Sequence, residues 1–169
     1  MNFISLDLEL NQPSNKIIQI GAVIGNIKTG QIFQRVSLFT KLDEPLNPYI
    51  QKLCNINQEM LDSGVTLDEA GLKLMELKRA YDCAVNPITW GGGDAALLKQ
   101  QTNTVFFGHR WFDVKTLYQF YALKHDLPLQ GGLAKVMTRF GMKFQGTKHR
   151  ADDDAYNTFL LAVKLMEKL

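Results

Sequence analysis

Four short stretches of the chain carry side chains that could do chemistry together. Near the start, Asp7-Leu8-Glu9 sets two carboxylates two positions apart. In the middle, TWGGGDAALLKQQ places Asp94 after three glycines, and HRWFDVKTL offers Asp113 as a second acid. Near the end, KHRADDDAYNTF sets His149 ahead of Asp152, Asp153 and Asp154. Carboxylates gathered at one point repel, and a hard divalent cation with oxygen ligands relieves the repulsion. A histidine beside them, with an ordinary pKa of about 6.5, can move a proton near neutrality. Plainer readings compete: a solvated strand face for Asp7 and Glu9, a helix cap for Asp94, and favourable helix-start charge for the triplet.

Each stretch needs an element to aim it. FISLDLEL alternates Leu6, Leu8 and Leu10 with Ser5, Asp7 and Glu9, the pattern of a strand. Its two acids therefore share one face, roughly 7 Å apart along the strand. KIIQIGAVIGN and QIFQRVSLFT read as further strands, joined by the turns QPSN and Lys28-Thr29-Gly30. Turns this short predict an antiparallel meander, because parallel strands need longer crossovers. EPLNPYIQKL reads as a loop entering a short helix, and 57–62 as a second. Thr66 and Glu69 have capping-box spacing and open a helix that runs to about Tyr81. NPITWGG reads as a strand, DAALLKQQ as a helix starting at an acidic cap, and VFFGHRWFDV as a fifth strand. KTLYQFYALKH, GGLAKVMTRFG and ADDDAYNTFLLAVKLMEKL are the last helices.

On the wheel of that final helix, Ala151, Ala155, Thr158, Ala162, Leu165 and Met166 form an inner face. Asp153 falls outside with Asn157, Lys164 and Lys168. Asp152 and Asp154 lie on opposite flanks, and the wheel leaves both as candidates.

The 169 residues, 46% hydrophobic and 21% charged, suit one α/β domain over 1–169 with a sizeable core. A net charge of +2 announces no basic tail but leaves room for a local basic patch. Cys54 and Cys83 form neither a disulfide framework nor a zinc pattern, so a reduced, cytoplasmic setting is expected. The first residues lead straight into Asp7 and do not read as a secretory signal, and no apolar run approaches the ~20 residues of a membrane span.

Together the motifs resemble the DEDDh family of 3′–5′ exonucleases. The family's first motif, Asp-x-Glu, corresponds to Asp7-Leu8-Glu9, and its last, His followed after four residues by Asp, to His149 and Asp154. The resemblance selects Asp154 over Asp152. TWGGGDAALLKQQ is similar to the Trp-Gly-x-x-Asp form of the second motif, and WFDVKTLY to the separate strand that follows it in that branch. The resemblance thus selects Asp94 over Asp113. Leu10-Asn11 departs from the small or hydroxyl residues that many relatives carry after the acid pair.

The resemblance implies a ribonuclease H-like fold: a five-stranded mixed sheet, its first three strands antiparallel, flanked by helices. It implies metal-dependent hydrolysis at single-stranded RNA or DNA 3′ ends, releasing nucleoside 5′-monophosphates. Asp7, Glu9, Asp94 and Asp154 would hold two Mg²⁺ or Mn²⁺ ions, with His149 as general base. Leu10 and Asn11 would line the nucleotide pocket, and Lys148 and Arg150, with Lys143 nearby, would meet phosphates. His109 and His125 have no role in this scheme. The rival expectation is a nucleic-acid-binding module that keeps the fold but turns over weakly; against it, no ligand position is replaced. No motif separates RNA from DNA or sets an oligomeric state.

Overall fold

In the computed structural model, which describes residues 1–105 and 107–168, the leucine-alternating segment is strand β1 (Asn2–Leu10). It pairs antiparallel with β2 (Ile17–Asn26), which pairs antiparallel with β3 (Ile32–Phe39). The β2–β3 turn closes as an Asx turn: Asn26 Oδ1 accepts the Lys28 and Thr29 N–H groups, and Gly30 takes a φ of 71°. The chain then makes a helical crossover through α1 (Pro48–Cys54), α2 (Gln58–Asp62) and α3 (Leu67–Ala80). The Thr66–Glu69 capping box opens α3 as its spacing predicts. The crossover delivers β4 (Ile88–Thr89) parallel to β1, with Ile88 opposite Ser5. After α4 (Gly93–Gln101), β5 (Phe112–Asp113) adds parallel to β4. The chain continues through α5 (Val114–Lys124), α6 (Leu133–Arg139) and α7 (Ala151–Met166). The sheet order is β3-β2-β1-β4-β5, a five-stranded mixed sheet with the expected antiparallel first three strands.

Alternation along β1 divides the core. Ile4, Leu6 and Leu8 face α3 and α4, together with Leu74, Leu77 and Leu98. Phe3 faces the opposite layer of α5, α6 and α7, where Tyr118 and Phe159 are fully buried. Burying each such side chain contributes roughly 1.5–3 kcal/mol. A third cluster joins Ile18 to α1 and α2. The register between β1 and β2 shifts at Glu9/Leu10, where Ile18 has no partner. Such a bulge re-aims side chains at a strand end.

Two glycines in β2 let α7 lie close against the sheet. A Cβ at Gly25 would meet the Phe159 ring at 2.5 Å, and one at Gly21 would meet the Ala151 carbonyl carbon at 1.9 Å. Gly21 stands opposite Asp7 in the ladder, so the first turn of α7 lands beside that acid.

Several sequence expectations are corrected. The strand expected over 105–114 reduces to Phe112–Asp113. Before it, Phe107 and Trp111 turn into the second core, and Gly108 N–H bonds to Val85; Phe106 lies outside the described residues. The strand expected over 86–92 stops at Thr89 because the chain turns at Gly91, whose φ is 95°. Asp94 is not the cap of α4: Gly92 holds that position and Asp94 is the second helical residue. Helix α7 ends at Met166, and Leu169, expected to close it, lies outside the described residues. Met166, assigned inside, is 53% exposed, whereas Asn157, assigned outside, is 0% exposed. The wheel assumes the sheet is the helix's sole neighbour, but residues 145–149 return across the first turns of α7 and bond to Asp153, Asp154 and Asn157 there.

Candidate active site

Asp7 and Glu9 project from the last turns of the β1 pleat on the α7 side of the sheet. Asp154 reaches them because the α7 N-terminus is fixed on β2. Gln19, fully buried, does the fixing: its Oε1 accepts the Ala151 N–H at 3.1 Å and its Nε2 donates to Asp152 Oδ1 at 3.1 Å. Arg150, the N-cap residue, makes no side-chain cap bond, so Gln19 satisfies an orphan donor of the first turn from across the fold. Ligand atoms of Asp7, Glu9 and Asp154 lie within 4.8 Å of one another.

Asp94 comes from α4, and its Oδ2 accepts the Thr89 hydroxyl at 3.2 Å. It lies outside the 4.8 Å group, yet among the neighbouring charges it acts most strongly on Asp7. Asp113 is occupied elsewhere. It caps α5 through the Lys115 and Thr116 N–H groups, accepts the Thr116 hydroxyl, and takes the Gly91 N–H at 2.9 Å. Asp113 thereby fastens the glycine turn that leads to Asp94.

Burial holds all four carboxyls above their ordinary values, and repulsion from the other acids adds to it for Asp7 and Glu9. Asp7 is raised well above it by burial and then by the charges of Asp94, Asp154 and Glu9. Glu9 is pushed to about 7, chiefly by burial, and Asp94 to about 6, also by burial, against a lowering bond from Thr89. Asp154 is raised by burial, opposed by the bond from the His149 amide. Among the described residues the ion pairs lie elsewhere, as in Lys16 with Asp43 and Arg35 with Asp152. An all-carboxylate donor set with uncompensated charge fits a hard divalent cation.

His149 is exposed, with a φ of 60°. Its backbone N–H donates to Asp154 Oδ2 at 2.7 Å, so the histidine and that acid share one anchor. Arg150 is half-buried and engaged: its Nη1 donates to the Asn55 carbonyl at 3.0 Å and its guanidinium lies 5.1 Å from the Phe39 ring centre. Its charge nonetheless favours an ionised Glu9. Lys148 and Lys143 are exposed. Leu10 is half-buried against the second core. Asn11 is 1% exposed, and its amide is occupied by Glu44 and the Pro45 carbonyl while its Oδ1 accepts the Asn47 N–H. It fastens the 44–47 loop beneath the strand end.

Sequence reasoning missed three contributors: Gln19, Thr89 and Cys54. Cys54, 1% exposed at the end of α1, donates its S–H to Glu9 Oε2 at 3.1 Å. Its thiol pKa is raised, first by burial and then by the Glu9 charge. No periodicity links positions 9 and 54; the pairing appears only once α1 is docked on the end of the sheet.

The sequence model of an exonuclease family, RNase_T, matches residues 4–162. Human ERI1 exoribonuclease 2 is 26% identical over 183 residues, an alignment covering 90% of this chain and 26% of that protein. The chain thus spans about a quarter of the length of that relative. The probable 3′-5′ exonuclease KapD of Bacillus subtilis (strain 168) is 28% identical over 181 residues, covering 96% of this chain and 83% of KapD. Among solved structures, the nuclease domain of 3′hExo, a DEDDh family member bound to rAMP, superposes with a TM-score of 0.84 at 19% identity, covering 99% of this chain and 92% of that one. Cell-death related nuclease 4 gives 0.85 at 13% identity, covering 99% and 64%. Motif order, sheet topology and the family match over nearly the whole chain agree: the chain belongs to the RNase_T exonuclease family.

Proposed function

We propose that residues 1–169 form one exonuclease domain that shortens single-stranded RNA or DNA from a free 3′ end and releases nucleoside 5′-monophosphates. The observation that carries this reading is the convergence of Asp7, Glu9 and Asp154 within 4.8 Å, with Asp94 beside them and every carboxyl raised. Asp7, Glu9, Asp94 and Asp154 would hold two Mg²⁺ or Mn²⁺ ions. Such ions, when bound, acidify water and stabilise charge on the departing 3′ oxygen. Asp7, which feels the charges of the other three acids, would be the central residue of that donor set. Asp154 holds the His149 amide, and His149 takes the proton from the attacking water. Lys148 faces solvent next to His149 and can meet a phosphate; Arg150 contributes charge near Glu9 rather than a free guanidinium. Leu10 offers apolar surface beside Glu9 for a terminal base. Among the described residues no helix is long and apolar enough to cross a membrane. Two free cysteines fit a reducing, cytoplasmic setting.

Replacing His149 with Ala should lower kcat on the order of 10²- to 10⁴-fold while leaving metal and oligonucleotide affinity near wild type. Single-turnover kinetics and binding isotherms check this. Loss of affinity equal to the loss of rate would assign His149 to binding instead.

Metal and pH should be coupled through stability. A carboxyl whose folded pKa exceeds its unfolded value stabilises the fold below the unfolded value and loses that contribution as pH rises through the folded one. From ordinary values of 3.8 and 4.5, Asp94 and Glu9 move to about 6 and about 7. In chelator this contribution therefore falls between pH ~4 and ~7, and bound Mg²⁺ offsets it. The difference in melting temperature between Mg²⁺ and chelator should widen from pH 5 to 7.5. A difference that stays constant across that range would contradict the assignment of these acids to metal.

A further inference from the structure

We infer that Asp153, held by Arg35, is a positioning residue for His149: it straps the 144–149 loop onto α7 and so sets where the imidazole stands. The inference rests on the reading of His149 as the base.

Residues 145–149 are all exposed, so this loop has little apolar burial to order it. Backbone bonds to α7 side chains do that work at alternate positions. Gln145 N–H donates to Asn157 Oδ1 at 2.9 Å, and Asn157 Nδ2 returns a bond to the Gln145 carbonyl at 2.8 Å. Thr147 N–H donates to Asp153 Oδ2 at 2.9 Å, and His149 N–H to Asp154 Oδ2 at 2.7 Å. Asp153 supplies the middle anchor. Between its neighbours, Gly146 passes directly over that carboxylate: a Cβ there would sit 1.8 Å from Asp153 Oδ1, and its φ is 86°. The loop backbone is built around Asp153.

Arg35 fixes the anchor in turn. Its Nε and Nη2 reach Asp152 Oδ2 at 3.0 and 2.6 Å, and Nη2 also bonds Asp153 Oδ1. Its guanidinium lies 5.2 Å from the Tyr156 ring centre. A planar fork so placed holds two carboxylates in fixed rotamers. It also offsets two negative charges in the same helical turn as Asp154. With its side chain 13% exposed, Asp153 is not the solvated charge that the helical wheel suggests.

The test is a double-mutant cycle between Asp153→Ala and His149→Ala, with Asp153→Asn as a second variant that keeps an oxygen for the Thr147 amide. Asp153→Ala should lower kcat on the order of 10- to 100-fold, as misplacement of a reacting group by about 1 Å does, with KM and Mg²⁺ affinity little changed. Asp153→Asn should recover part of that loss. In the His149→Ala background, Asp153→Ala should cost nothing further, because the group it positions is gone. An equal fold-loss in both backgrounds, or no loss in wild type, would overturn the inference while leaving His149 as the base. A wild-type rate for His149→Ala would overturn both.

Discussion

Asp7→Asn should abolish metal-dependent hydrolysis and, in the same protein, raise the melting temperature measured in chelator. Asp7 faces Asp94, Asp154 and Glu9, and burial with those three charges holds its carboxyl well above the ordinary value. That is the signature of a group whose ionisation opposes folding when no cation is present. An amide of the same shape removes the charge and keeps the packing against Gly21, its ladder partner. The metal-free fold is relieved of repulsion, and for a chain of this size each kcal/mol relieved raises the melting temperature by about 2–4 °C. The catalytic loss runs the other way. The central acid of the cluster no longer carries charge for the cations, and several kcal/mol of transition-state stabilisation go with them, on the order of 10³-fold or more. Thermal scans with and without Mg²⁺, beside a turnover assay, read both signs. Asn at position 7 with full Mg²⁺-dependent activity would remove Asp7 from the site; a fall in chelator melting temperature would show that its charge is compensated in some other way.

Gly21→Ala should damage fold and site together more than any other change outside the residues assigned to the chemistry. The added Cβ would sit 1.9 Å from the Ala151 carbonyl carbon and 2.1 Å from both the Ala151 oxygen and the Asp152 nitrogen. All three are backbone atoms, so no rotamer change clears the contact, and the α7 N-terminus must move off β2. Overpacking of this kind costs typically 1–3 kcal/mol or more. The same movement breaks the Gln19 bond to the Ala151 amide and carries Asp154 away from Asp7. A displacement of about 1 Å at reacting groups is worth about 10²-fold in rate, so activity should fall further than stability alone explains. Gly132→Ala is the control, since Gly132 has a φ of −73° and nothing within 4 Å of an added Cβ. Melting temperature, Mg²⁺ affinity and kcat for the two variants check the claim. Wild-type values for Gly21→Ala would mean that α7 does not need this close approach.

What the sequence revealed follows the reach of its periodicities. The shared face of Asp7 and Glu9 is a two-residue repeat and therefore local; the wheel's placing of Asp153 on the solvated side fails, because Arg35 and the Thr147 amide, distant in sequence or outside the helix, enclose its carboxylate. The meander follows from turn lengths alone. Asp94 is different. From its own surroundings it reads as a cap, and it was singled out by resemblance to a motif; the structure puts Gly92 at the cap and turns the Asp94 carboxylate to Thr89. The remaining contributors depend on long-range docking. Gln19 reaches Ala151 across the sheet, Cys54 reaches Glu9 from the crossover, and Gly21 matters because the register sets it opposite Asp7. The helical wheel misassigned Asn157 because a loop later in space, not the sheet, covers it. Strands β4 and β5 were expected longer because apolar runs beside glycines and aromatics look like strands whichever core they enter.

The most direct test of the account is the product pattern from 5′-labelled single-stranded RNA and DNA incubated with Mg²⁺. The expected result is a ladder that shortens one nucleotide at a time from the 3′ end, with nucleoside 5′-monophosphates accumulating and Asp7→Asn inactive in the same assay. Internal cuts, or tight binding of uncut substrate in both Mg²⁺ and Mn²⁺, would contradict it.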